Sequence, residues 1–118
     1  VEVTYEAMMR GIAVIRPGGT TGDIGAAIQE YAEAERCSVV RDFCGHGIGQ
    51  LFHDAPNILH YGSPGEGVLL KPGMVFTIEP GLYENDRIGV RIEDDVVVTA
   101  EGCEVLTSFP RQLRVIGG

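Results

Sequence analysis

Two histidines seven residues apart, His46 and His53, stand in the glycine-rich stretch Cys44-Gly45-His46-Gly47-Ile48-Gly49-Gln50-Leu51-Phe52-His53. Two carboxylates follow from separate segments, Glu79 in Phe76-Thr77-Ile78-Glu79-Pro80 and Glu93 in Arg91-Ile92-Glu93-Asp94-Asp95. Alone, each has a plain reading: a core or surface histidine, a glutamate that ends a strand before proline. Together they offer imidazole and carboxylate ligands from three segments, a donor set that suits a divalent ion of the Mn, Fe, Co or Zn kind. An ion held in this way can lower the pKa of a bound water and polarise a bound carbonyl.

The elements that must position these groups follow from periodicity. Tyr5, Met8, Met9, Ile12 and Ile15 recur at helical spacing and predict an amphipathic helix over 4–15, ended by Pro17-Gly18-Gly19. Thr20, Thr21 and Asp23 are capping residues for a second helix over about 22–35, with Ile24, Ala27, Ile28, Tyr31 and Ala32 on its inner face. Ser38 to Phe43 is β-rich and predicts a strand that delivers His46 at its end, and the glycines at 45, 47 and 49 would let the backbone bend and a ligand approach closely. The stretch 51–64 reads as a loop over the site, with His60 an ordinary loop histidine. Met74 to Glu79 predicts a strand with Val75, Thr77 and Glu79 on one face, and Pro80 ends its regular pairing. The longest strand signal, 88–99, puts Arg91, Glu93 and Asp95 on a common face, with Asp94 and Asp95 reading as a solvated acidic edge. A last strand, 103–107, hairpins back, and the tail from Pro110 carries no clear signal. Two helices followed by strands predict one α+β domain over 1–118, with the helices on one face of a curved, mostly antiparallel sheet.

Composition narrows the function classes. A chain of 118 residues with 44% hydrophobic and 22% charged residues has the balance of a single folded domain rather than a disordered one. A net charge of −8 argues against nucleic acid or an anionic membrane as partner, because both require a basic surface. Cys37, Cys44 and Cys103 are odd in number and lack CxxC spacing, which argues against a disulfide framework and for a reducing, cytoplasmic setting. No leader is visible, and no apolar run approaches the roughly 18 residues of a membrane span.

Beyond these readings, CGHGIGQLFHDAPNILHYG followed by LLKPGMVFTIEP closely resembles the C-terminal half of methionine aminopeptidases, dinuclear metallopeptidases of the pita-bread fold. From Gly81 onward, GLYENDRIGVRIEDDVVVT is more similar to the Xaa-Pro aminopeptidase and prolidase branch. The resemblance implies a half pita-bread with His46, Glu79 and Glu93 as metal ligands, Glu93 bridging and Glu79 also transferring protons. It implies that His53 contacts the substrate amide, that Phe52 and Cys44 line the pocket for the first side chain, and that Arg91 and Thr77 orient the ligands from behind. The family's N-terminal half supplies two Asp ligands and a further His, so three of five ligands are expected on this chain. The short span from Glu79 to Glu93 and the absence of tryptophan depart from the methionine-specific pattern. The expected function is a metal-dependent aminopeptidase acting on a peptide N-terminus. It would carry one ion per chain or two per dimer and depend on homodimerisation or a complementary N-terminal half. The alternative is a non-catalytic half-domain (a fragment, a chimera of the two branches or a designed half) that at most binds metal. A purely structural interaction module fits less well, because the ligand residues are kept.

Overall fold

The computed structural model describes residues 1–84 and 86–117; Asn85, in the prolidase-like segment, and Gly118, at the end of the tail, lie outside the described residues. The first helix, α1, spans Glu2–Ala13 and buries Thr4, Ala7, Met8, Gly11 and Ile12. It lies two residues earlier than the periodicity predicts. Pro17 disfavours helical backbone at Arg16, so the chain leaves the helix at Val14, and Ile15 enters the core from outside it. The second helix, α2, spans Thr21–Ala34 and starts with a reciprocal capping box between Thr20 and Asp23. Asp23 does more than cap, because its second oxygen accepts the Gly65 N–H at 2.8 Å and ties the distant loop to the helix start. Among the described residues, no helix is long and apolar enough to cross a membrane.

Eight strands follow: β1 Ser38–Val39, β2 Gly45–Gly47, β3 Asp54–Ile58, β4 Val75–Ile78, β5 Gly81–Glu84, β6 Ile88–Arg91, β7 Asp94–Val98 and β8 Cys103–Val105. They form two sheets in place of the single sheet expected, a five-stranded one in the order β3-β2-β4-β7-β8 and a three-stranded one in the order β1-β5-β6. All their pairings are antiparallel. The two helices pack on each other, α1 also touching β4 and α2 touching β1 and β3. Met8, Ile24 and Ile28 meet Ile58, Phe76, Ile78, Val96 and Val98 in the core. The result is the expected α+β arrangement of two helices on antiparallel sheet.

Several expected strands are divided, and each division has a pairing reason. The strand predicted over 38–43 is only β1, whose two residues pair with Tyr83 and Leu82 in the small sheet. His46 is therefore not at its end but in the middle of a separate strand, β2. The predicted loop over 51–64 contains β3, which pairs with β2. The long strand predicted over 88–99 is β6 plus β7, one in each sheet. Its break faces a break between β4 and β5, where Pro80 has no N–H to donate. The register is the same on either side: Ile78 faces Asp94, and Gly81 faces Arg91. Glu79 thus falls opposite Glu93, and Pro80 opposite Ile92.

The bonds from Gly65 and then Thr20 backbone N–H groups hold the Asp23 pKa below its usual 3.8. Replacing Asp23 with alanine should cost about 1 kcal/mol, the usual worth of a cap. Because the folded pKa is depressed, this contribution is fully present above 3.8 and is lost as pH falls through the folded value. Urea unfolding of wild type and D23A from neutral pH downward should show the gap closing in acid; a constant gap would contradict the assignment.

Candidate metal centre

The alternation of side chains along the strands decides which face carries chemistry. Phe76 and Ile78 of β4 and Val96 and Val98 of β7 go into the core, so Thr77 and Asp95, which pair with each other, belong to the opposite face. Gly47 pairs with Phe76, which sets His46 beside Thr77 on that same face. The buried Thr77 Oγ1 accepts the His46 backbone N–H at 3.0 Å. The glycines beside His46 serve a different purpose from the one expected. A Cβ on Gly45 would lie 2.3 Å from the Thr77 carbonyl oxygen, and one on Gly47 would lie 2.1 Å from that of Ala55. Close approach here is of backbone to backbone, and it lets β2 fit between β3 and β4.

His46 is buried, and its Nδ1 lies 3.0 Å from the Gly47 carbonyl oxygen. A carbonyl can only accept, so Nδ1 carries the proton and the Nε2 lone pair is left for a ligand. Ligand atoms of His46, Glu79 and Glu93 all lie within 4.8 Å of one another. Glu79 is half-buried and Glu93 exposed. Burial, and then the neighbouring Glu93 carboxylate with which it shares a hydrogen bond, push the Glu79 pKa up to about 7, with Arg91 and His46 opposing the rise. Two carboxylates directly across an antiparallel gap repel unless they share a proton or a cation. The donor set therefore fits a divalent transition ion: one imidazole nitrogen of fixed tautomer, two carboxylates and no thiolate.

These three residues open onto a cleft of about 470 Å³ lined also by Asp42, Phe43, Cys44, Phe52, His53 and Arg91. The His53 ring centroid is 4.3 Å from that of His46, and Phe52 meets His53 edge-on at 4.6 Å. Phe52 and His53 are exposed at the mouth, whereas Cys44 is half-buried. Burial and the Glu79 carboxylate raise the Cys44 thiol pKa, so it remains an unreactive wall. Arg91 and Glu93 line the same cleft although they do not share one continuous strand. Asp42 and Phe43, assigned from sequence only to the predicted strand, are wall residues as well; their place next to the Cys44-Gly45-His46 run was the available signal.

Two further expectations need correction. Asp94 is not a solvated edge residue, because it is 1% exposed and takes hydrogen bonds from the Thr107 hydroxyl and the Arg111 guanidinium. Asp95 is half-buried, and burial, then Glu93 and Asp94, raise its pKa. His60 is not an ordinary loop histidine either. It is buried, its Nε2 accepts the Glu79 backbone N–H at 3.2 Å, and burial lowers its pKa to about 4. No spacing rule marked it, since the bond depends on how β3 and β4 come together.

A family model described as metallopeptidase family M24 matches residues 1–100. The chain belongs to this family. Methionine aminopeptidase B of Synechocystis is 52% identical over 124 residues, covering 91% of this chain and 45% of its own length. The crystal structure of methionine aminopeptidase from Rickettsia prowazekii superposes with a TM-score of 0.83 at 46% identity, covering 89% of this chain and 50% of that one. X-Pro aminopeptidase from Thermotoga maritima superposes with a TM-score of 0.84 at 31% identity, covering 98% of this chain and 32% of that one. Both branches of the resemblance are thus represented among the M24 neighbours, and the chain spans about half the length of the curated relatives it matches.

The glycine packing is open to direct test. Gly45→Ala must push apart β2 and β4, because the obstructing atom is backbone oxygen, and it should cost about 1–3 kcal/mol. Chemical denaturation would show it as a lower midpoint. An unchanged midpoint would mean that the strands are not held this closely.

Proposed function

We propose that this chain is the ligand-bearing half of a metal-dependent aminopeptidase that hydrolyses the first peptide bond of a peptide. The reading is carried by one observation, the facing of Glu79 and Glu93 across the ladder gap within 4.8 Å of a His46 ligand atom. In it, His46 Nε2 and the Glu79 and Glu93 carboxylates would hold Mn, Co, Fe or Zn, Glu93 being the carboxylate that two ions would share. When bound, the ion acidifies a water and polarises the scissile carbonyl. Glu79, half-buried beside that position, would pass a proton from the water to the leaving amine. His53, at the mouth, contacts the substrate amide, while Phe52 and Cys44 form the wall that meets the first side chain. Thr77 holds the His46 backbone, and Arg91 sets its charge beside the carboxylates. The names of the relatives support an amino-terminal substrate, with either methionine or a residue before proline first. Three free thiols suit a reducing, cytoplasmic compartment.

Two ions need more ligands than this chain's three residues, so we propose that a second half completes the centre: either the complementary N-terminal half or a second copy in a C2 homodimer. A second reading, a half-domain that folds and binds metal without catalysis, draws on the span of about half the relatives' length.

Calorimetry with Mn or Co should show one ion bound per chain, and the His46→Ala, Glu93→Ala double variant should bind none. Equal binding by the two proteins rejects the ligand set. The Glu79 pKa is raised from 4.5 to about 7, so a proton competes with the ion below that value. Affinity should weaken as pH falls through about 7.

Residues 79–104 contain eight Asp or Glu against two Arg, so two metal-free copies facing each other repel. Sedimentation should therefore show a dimer strengthened by Mn and weakened by chelator, with activity on Met- or Pro-containing peptides following the dimer. A 12.7 kDa monomer under all conditions removes the homodimer route; bound metal without peptidase activity, alone or mixed with an N-terminal half, favours the second reading.

A further inference from the structure

Glu79 and Pro80 lie in the gap between β4 and β5, and this dipeptide has a single backbone donor, the Glu79 N–H. The neighbouring strand β2 begins at Gly45 and, in the register that pairs Gly47 with Phe76, stops short of Glu79. No ladder bond is available to fix the residue on that side. The acceptor that takes its place is a side chain from after β3, His60 Nε2, at 3.2 Å.

We propose that His60 is a positioning residue for this centre: by holding the Glu79 amide it sets the backbone from which the Glu79 carboxylate meets Glu93. The inference rests on the reading of Glu79 as a ligand and adds a residue to it.

Chemistry fixes the form of the ring. A backbone N–H donates, so Nε2 must keep its lone pair and Nδ1 must carry the proton. That Nδ1–H is buried and has no hydrogen-bond partner among the described residues. An orphaned buried donor is destabilising, and an apolar side chain of similar shape would avoid it. A polar ring in a site 1% exposed is therefore not explained by packing. The bond to Glu79 gives it a purpose. A comparable tether acts on the His46 amide itself and, in the Glu93 segment, on the two residues after Glu93. Thr77 Oγ1 accepts the His46 N–H, and beyond Glu93 the Thr107 hydroxyl binds the Asp94 carboxylate and accepts the Asp95 N–H at 3.2 Å. Each ligand-bearing segment is tethered by a buried or half-buried side chain from another element.

The test combines nitrogen-15 NMR of the metal-free chain with cobalt calorimetry on wild type, His60→Phe and His60→Gln. Phenylalanine keeps a ring and removes the acceptor, whereas the glutamine amide oxygen can take the same bond. We expect wild-type His60 in the Nδ1–H form, and faster amide exchange at Glu79 in H60F with the β7 amides unchanged. We also expect cobalt affinity in H60F to fall roughly ten- to a hundredfold, as when a partner behind a ligand is lost, and to be largely restored in H60Q. A role in packing alone predicts altered melting temperatures with unchanged cobalt affinity, and that result overturns the proposal. So does an Nε2–H ring in wild type. If H60F fails to fold, the wild-type tautomer and the H60Q affinity decide. A wild type that binds no cobalt counts against Glu79 as ligand, while the tautomer and Glu79 exchange still decide whether His60 holds the amide.

Discussion

A missing backbone donor organises this molecule. Pro80 cannot contribute an N–H, so the antiparallel ladder that runs from β4 and β7 towards β5 and β6 lapses for two residues on each side and resumes in the same register. The lapse divides two long strands between two sheets and leaves Glu79 across from Glu93. An uninterrupted ladder would keep both residues in regular pairing, with their carboxylates repelling at close range. The gap keeps the opposition but opens it to a cleft, where a proton or a cation can relieve it. Burial first, and then the facing Glu93, raise the Glu79 pKa in that arrangement.

Holding such a pair in place requires a stiff surround. The helices provide it on one side: the hydrophobic core that α1 and α2 form with β3, β4 and β7 lies behind the face that carries His46, Thr77 and Asp95. Burying a side chain such as Phe76 or Ile28 stabilises the fold by about 1.5–3 kcal/mol. The site can therefore carry opposed carboxylates at a cost the core offsets. On the other side, the Asp94 carboxylate anchors the tail through Thr107 and Arg111, directly beside Glu93. Removing one partner of such a buried pair leaves an uncompensated charge, so the anchor holds the end of β7 next to Glu93.

The likeness to M24 structures of two branches is consistent with this division of labour. The superposition covers most of this chain in both branches, helices and sheets alike, whereas Phe52, His53 and Phe43 are exposed side chains at the mouth of the cleft.

Much of this was legible without coordinates, because the relevant physics is local. Helical periodicity located both helices to within two residues, Thr20 and Asp23 were recognisable as capping residues, and residue types drew His46, His53, Glu79 and Glu93 together as candidate donors, from which the family resemblance selected His46, Glu79 and Glu93. Alternation placed Glu79 with Thr77 and Glu93 with Asp95 on their respective faces. Other features depend on which strand lies beside which, and spacing along one chain does not encode that. The splitting of 88–99 follows from the pairing of one part with β5 and the other with β4. The glycines at 45 and 47 answer to the carbonyls of Thr77 and Ala55, which are distant in sequence or out of sight of it. Asp94 looked like part of an exposed acidic run until Arg111 and Thr107 folded onto it. His60 had no pattern at all; its bond to Glu79 exists only because β3 and β4, on opposite edges of β2, bring the residues after them to the same end of that strand. Residue chemistry and local period determined what the site is made of, while long-range pairing, set by the proline gap and the packing of backbone on backbone, decided its geometry.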